Sequence, residues 1–184
     1  TGIGDAFGDP LLMPEIIAKR LAPAAIGMDP LDLDGLWRQL CASSPFWETA
    51  GSVMCGVSAI EVACWDIRGK CEGRPVCDLL GGRKRDRVEA YASDLHWEEP
   101  QQMADLARSY VQRGFRYVKT HIGAVGEQEN DLRRCEVIRE AIGPDVGFLI
   151  DINTAFDLET ALARGRELEA FDPFWYEEPL PPLD

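Results

Sequence analysis

Gly114-Phe115-Arg116-Tyr117-Val118-Lys119-Thr120-His121 is the stretch whose reading decides the fold. It follows Pro100 to Arg113, where Met103, Leu106 and Tyr110 share one helical face, and Gly114 is a residue on which a helix can stop. Phe115 to His121 then reads as a strand. The same succession recurs on both sides. Upstream, Val88 to Ala92 reads as a strand. Downstream, Glu127 to Ile142 reads as a helix closed by Gly143-Pro144, and Val146 to Asp151 as a strand with an apolar middle. Asp157 is placed to cap a further helix to about Glu169, with Leu158, Ala161, Leu162, Gly165 and Leu168 inward. Phe174 to Glu177 reads as a fourth strand, stopped by Pro179-Leu180-Pro181-Pro182. Strands and helices alternating through short links predict an α/β fold with a parallel sheet. An open doubly wound sheet and part of a (β/α)8 barrel both satisfy this pattern. No G-x-G-x-x-G follows the first strand and no P-loop occurs, which removes the main support for a nucleotide-binding open sheet.

The region before this, Thr1 to about Gly82, reads as helical after a glycine-rich opening. Pro14 to Leu21 is a candidate helix, and Asp29-Pro30 resembles an N-cap and first position for another through Leu40. Gly51 to Lys70 is the strongest helix. Val53, Val57, Ile60, Cys64 and Ile67 form one apolar stripe, while Gly56, Ala59 and Ala63 are small enough to admit a close neighbour.

The chain has 184 residues, 46% of them hydrophobic and 28% charged, enough for a real core and too apolar for disorder. Its 19 Lys and Arg against 32 Asp and Glu give a formal charge of −13. That argues against nucleic acid and against an anionic membrane as partners. No apolar run reaches the length of a membrane span. Six cysteines without a C-x-x-C pair predict reduced, mostly buried thiols and a cytoplasmic location rather than a disulfide framework.

Ionisable residues collect where the predicted strands finish, the end at which parallel α/β folds bind ligands. Lys119 and His121 lie two apart and so face the same side, as do Asp151 and Asn153; Glu177 and Glu178 end the fourth strand. Asp151 and Glu177 on neighbouring strands would begin an oxygen site for a hard divalent cation such as Mg²⁺. Opposite it, a Lys or a neutral His suits removal of a proton from the carbon beside a carboxylate. Each residue alone also has an ordinary structural reading: Lys119 as an ion-pair partner, Asp151 as a turn cap, His121 as a packed ring. Glu178 is expected to point away from Glu177 and to serve a structural pairing, and His96, just past the first strand, reads equally well as a solvated loop residue.

These residues resemble the enolase superfamily, in its mandelate racemase and muconate lactonizing enzyme group. The resemblance is carried by Ser58-Ala59-Ile60-Glu61-Val62-Ala63-Cys64-Trp65-Asp66-Ile67-Arg68-Gly69-Lys70, by Leu79-Leu80-Gly81-Gly82, by Gly114 to Lys119, by Asp151-Ile152-Asn153 and by Trp175-Tyr176-Glu177-Glu178-Pro179-Leu180. It implies part of an α+β capping domain with its connecting helix over residues 1–82, then the first half of a (β/α)8 TIM barrel, about four βα units, over 83–184. It implies Mg²⁺ on Asp151 and Glu177, substrate contact by Asn153, and a catalytic role for Lys119 and His121. The family's strand-two motif is usually Lys-x-Lys; here His121 replaces the second lysine. Ala6 to Pro10 resembles the capping loop, which makes Phe7 a candidate substrate contact.

The activity implied is that of a Mg²⁺-dependent lyase acting on a small-molecule carboxylate, a sugar acid that it dehydrates through an enediolate. A racemase, epimerase or cycloisomerase of the same superfamily is the nearest alternative, and a non-catalytic barrel is the alternative of another class. By comparison with the family the chain is expected to lack later strands, to form a homo-oligomer when complete, and to be unstable or aggregating alone.

Overall fold

The computed structural model describes residues 1–43, 50–95, 98–124 and 130–182. The chain divides into two compact units, Thr1–Asp86 and Arg87–Asp184.

The regular elements of the first unit are all helical among the described residues. A helical run comprises α1 (Met13–Ile16), a π-helical turn at Ile17–Leu21 and α2 (Ala22–Ala25); α3 (Leu33–Ala42), α4 (Gly51–Glu72) and the short α5 (Val76–Leu79) follow. Leu21, Leu36, Leu40 and Val57 form the buried centre of this unit, with Cys64 on the α4 stripe packed beside them. The small residues of α4 do admit a neighbour: the opening strap lies on them. A side chain at Gly2 would run into the Ala63 carbonyl and one at Gly4 into the Ala59 carbonyl. Asp66 on α4 fastens the strap by accepting the Ile3 N–H at 2.9 Å. The α3 start differs from the Asp29-Pro30 expectation. Asp29 closes a turn by accepting the Leu31 N–H at 2.9 Å, and Asp32, three residues later, caps the helix by accepting the Gly35 N–H at 3.0 Å. With two capping aspartates three apart, the one followed by a run free of proline becomes the cap.

The second unit is a four-stranded sheet in the order β1-β2-β3-β4. Its elements are β1 (Ala92–Leu95), α6 (Pro100–Gln112), β2 (Tyr117–His121), α7 (Asp131–Ile142), β3 (Gly147–Asp151), α8 (Leu158–Leu168) and β4 (Pro173–Glu177), and all pairings are parallel. Each strand returns through a helix, the only connection short enough for parallel neighbours. Strand alternation sorts the side chains. Val118, Ile122, Phe148, Ile150 and Ile152 are fully buried against Met103 and Ala107 of α6, Cys135 and Ile138 of α7, and Leu168 of α8. Lys119, His121, Leu149 and Asp151 take the other face.

Two expectations are corrected here. The first strand is Ala92–Leu95, not Val88 to Ala92. Val88 is 75% exposed, and Glu89 is engaged through its side chain by Arg116, Nε to Oε1 3.0 Å; the ladder to β2 begins at Ala92, opposite Val118. On α8, Ala161 and Leu168 are buried, but Leu158 and Leu162 are 61% and 55% exposed. The Asp157 cap, accepting the Thr160 N–H at 2.8 Å, sets a phase in which 161, 165 and 168 face the sheet and 158 and 162 lie on the flank. All six cysteines are free; Cys41, Cys64 and Cys135 are buried, whereas Cys71 and Cys77 are exposed. Burial pushes the Cys135 thiol up to about 12, which leaves it inert.

Candidate active site

The register of the sheet aligns His121 with Asp151 and Asp151 with Glu177, so three ionisable side chains stand abreast at the carboxyl ends of β2, β3 and β4. Lys119 starts one level lower, opposite Leu149, which in turn pairs with Trp175. Its side chain climbs to the level of the acids. The ammonium lies 2.7 Å from Asp151 Oδ2 and 3.1 Å from Glu177 Oε2. The Lys119 and Asp151 side chains are 8% and 5% exposed, whereas Glu177 is 32% exposed. Burial by itself pulls the lysine pKa down. The hydrogen bonds and negative charges of Asp151 and Glu177 outweigh that effect and hold it above the usual lysine value. Lys119 is therefore a fixed positive charge, not a resting base.

Beneath the ammonium lies an aromatic floor. The Tyr91 ring centroid is 5.6 Å from Lys119 Nζ, within cation–π reach, and Tyr91 meets Trp175 edge-on at 5.4 Å. Neither aromatic is singled out by the ionisable motifs. The available signal is positional: Trp175 lies two residues before Glu177, and so on the same strand face.

His121 Nδ1 is 3.4 Å from Asp151 Oδ2 and 2.7 Å from the Asn153 amide nitrogen. Asn153 reaches this position because the chain turns sharply after β3. Asn153 and Thr154 have φ of 50° and 63°, in the left-handed region. The turn is held by the Asn153 N–H on Asp151 Oδ1 at 2.9 Å and the Thr154 N–H on the Glu178 carbonyl at 2.7 Å. Glu178 thus contributes through its backbone, and its side chain is exposed.

The structure brings Lys119, His121, Asp151, Asn153 and Glu177 together. Phe7 belongs to the first unit, where it is 90% exposed in the opening segment. His96 lies outside the described residues.

Comparison with known proteins accounts for this constellation. A family model described as "Mandelate racemase / muconate lactonizing enzyme, N-terminal domain" matches residues 1–81, and one described as "Enolase C-terminal domain-like" matches residues 102–184. The chain belongs to the mandelate racemase and muconate lactonizing enzyme group of the enolase superfamily. An arabinonate dehydratase of Saccharolobus solfataricus is 33% identical over 185 residues, covering 98% of this chain and 49% of that protein. An L-talarate/galactarate dehydratase of Salmonella typhimurium is 33% identical over 170 residues, covering 91% of this chain and 42% of that protein. The crystal structure of the 3,6-anhydro-D-galactonate cycloisomerase from Zobellia galactanivorans superposes with a TM-score of 0.92 at 34% identity, over 100% of this chain and 51% of that one. The chain thus spans about half the length of these relatives, and its four βα units correspond to part of an enolase-superfamily barrel.

Within this family the question for the site is whether it suits a divalent cation. Two carboxylates from adjacent strands converge on a single point of positive charge, the Lys119 ammonium. Mg²⁺ commonly takes one or two protein carboxylates and keeps several waters, so the pair fits as the protein's oxygen donors. Among the described residues no group of three or more His, Cys, Asp or Glu is arranged to hold a metal ion. Asp151 and Glu177 are the residues that would hold one.

Proposed function

We propose that the protein is a Mg²⁺-dependent lyase that removes the proton alpha to the carboxylate of a sugar acid and then expels a hydroxyl group, with net loss of water. The observation that carries this reading is the meeting of the Asp151 and Glu177 carboxylates at one cationic centre, 2.7 and 3.1 Å from Lys119 Nζ, with His121 alongside. A bound divalent cation would supply positive charge against the substrate carboxylate. The chain's own residues supply the rest. Lys119, held cationic, opposes the negative charge that builds on the carboxylate oxygens as the alpha proton leaves. His121 stands at the strand end to take part in moving a proton or in hydrogen-bonding the oxygen that gains charge. The Tyr91–Trp175 floor keeps water from beneath the ammonium and fixes its height. The names of the relatives support a sugar-acid substrate and a dehydration. A cycloisomerization is the second reading, favoured by the likeness to the Zobellia galactanivorans enzyme; it shares the first proton removal and parts from dehydration at the leaving group.

Solvent deuterium exchange at the carbon alpha to the carboxylate, across a panel of sugar acids with Mg²⁺ and the full-length protein, tests the proposal. His121→Asn is expected to slow exchange by about 10²–10⁴-fold. Exchange at the wild-type rate in that variant removes His121 from the mechanism. A panel in which no acid exchanges defeats the lyase reading itself.

A further inference from the structure

We infer that Asn153 sets the tautomer of His121: the neutral ring is held with its proton on Nε2, as a hydrogen-bond donor towards a substrate oxygen rather than as the base. The Asn153 amide nitrogen lies 2.7 Å from His121 Nδ1. An amide nitrogen can only donate, so Nδ1 is the accepting, unprotonated atom and the ring proton sits on Nε2. The competing partner is Asp151 Oδ2. It is 3.4 Å from Nδ1, beyond the range of a good N–H···O bond, and it already accepts from Lys119 at 2.7 Å. The other oxygen of Asp151 accepts the backbone N–H of Asn153 at 2.9 Å. Both oxygens of the carboxylate are thus engaged by other donors, and the short contact to Nδ1 belongs to the amide.

The amide is held in place by backbone conformation. Two successive non-glycine residues, Asn153 and Thr154, adopt φ of 50° and 63°. Such conformations cost about 1–3 kcal/mol each and persist only where the surroundings enforce them. Asparagine enters the left-handed region more readily than most residues; a glycine would enter it with ease but would bring no amide. The bond from the Thr154 N–H to the Glu178 carbonyl at 2.7 Å ties the turn to the end of β4.

A neutral ring whose lone pair on Nδ1 faces an N–H cannot take a proton on Nε2. Removal of the alpha proton then falls to another group. The Nε2–H suits the oxygen on which charge develops, as a neutral imidazole polarises a carbonyl or supports a departing hydroxyl. Asn153 is on this account a positioning residue acting through His121. The catalytic part of the inference rests on the lyase reading above; the tautomer does not.

The test is ¹⁵N NMR of the chain labelled in histidine, at about pH 9 where an imidazole is neutral. The chain has two histidines, His96 and His121, so His96→Gln assigns the signals. The expected wild-type spectrum shows an unprotonated Nδ1 and a protonated Nε2 for His121. Asn153→Asp keeps a residue tolerant of left-handed φ but offers only acceptors, and is expected to invert the pattern to Nδ1–H. A protonated Nδ1 in the wild type overturns the inference, as does an unchanged tautomer in folded Asn153→Asp. Should that variant not fold, the wild-type spectrum alone decides. Loss of deuterium exchange for every sugar acid, beside the expected tautomer, sinks the lyase reading and leaves this one standing.

Discussion

Lys119 joins two carboxylates that face the same side of the sheet, and removing its charge leaves them facing one another. Lys119→Met keeps the stem and deletes the ammonium, stranding Asp151 at 5% exposure without its counter-ion. Breaking a buried pair in this way costs about 3–5 kcal/mol, and the lower end applies because Glu177 retains partial contact with water. Urea denaturation at pH 7 measures it, and Lys119→Met/Glu177→Gln is expected to recover part of the loss by discarding one of the two stranded charges. A midpoint unchanged by Lys119→Met shows the ion pair to be energetically idle. The pH dependence has a definite sign. Because the folded-state pKa of Lys119 is raised, its contribution is complete below the ordinary lysine pKa and fades only as pH climbs through the higher folded value. Wild-type and Lys119→Met stabilities should therefore differ by a constant amount across neutral pH if no other group near them titrates there.

Caps and alternation carry the information at the level of the element. Gly35 sits in the first turn of α3, and a side chain there would strike the Asp32 carboxylate that caps the helix. Gly35→Ala improves helix propensity by up to about 1 kcal/mol yet forces the cap apart, and Asp32→Ala loses about 1 kcal/mol through the cap alone. The expectation is that Gly35→Ala is no more stable than wild type in thermal melts, and that it becomes stabilising in an Asp32→Ala background where no cap is left to disturb. This is also the scale at which the sequence was most and least legible. The order of β2, α7, β3, α8 and β4 could be read because period-two and period-3.6 patterns alternate cleanly between glycines and prolines. So could the shared face of Lys119 and His121, since spacing of two fixes it on any strand. The start of β1 could not, because Val88 to Tyr91 alternates like a strand while its ladder partners lie only opposite Ala92 onward. Nor could the Asn153–His121 contact, which depends on left-handed φ at two non-glycine residues that no local pattern announces.

At the scale of the whole molecule, the sheet face opposite α6, α7 and α8 governs behaviour in solution. Phe174 is 59% exposed and Tyr91 39%, and with Tyr117, Leu149 and Trp175 they line an apolar groove. Tyr117 and Phe174 stack edge-on at 4.9 Å, so the groove is a continuous aromatic surface rather than scattered rings. Among the described residues β1 and β4 each pair with a single strand, leaving backbone donors and acceptors along both edges of the sheet. A contiguous apolar surface beside open parallel edges is the combination that soluble proteins cover. For the 184-residue chain in isolation the cover at hand is another copy of itself, and self-association at micromolar concentration is the expected behaviour. Covering the exposed part of Phe174 is worth about 1–2 kcal/mol at ~25 cal/mol per Å² of apolar surface. Phe174→Ser should accordingly weaken association by about tenfold, read as a shift towards monomer in sedimentation or light scattering over a dilution series. The polar strand ends supply an internal control. Glu177→Gln alters charge at the opposite end of β4 without touching the groove, and is expected to leave the association constant within about twofold of wild type. A chain that stays monomeric with a cooperative melt at high concentration would mean that the aromatic face and the two edges are tolerated by water, and that the stability of these four βα units does not depend on their being covered.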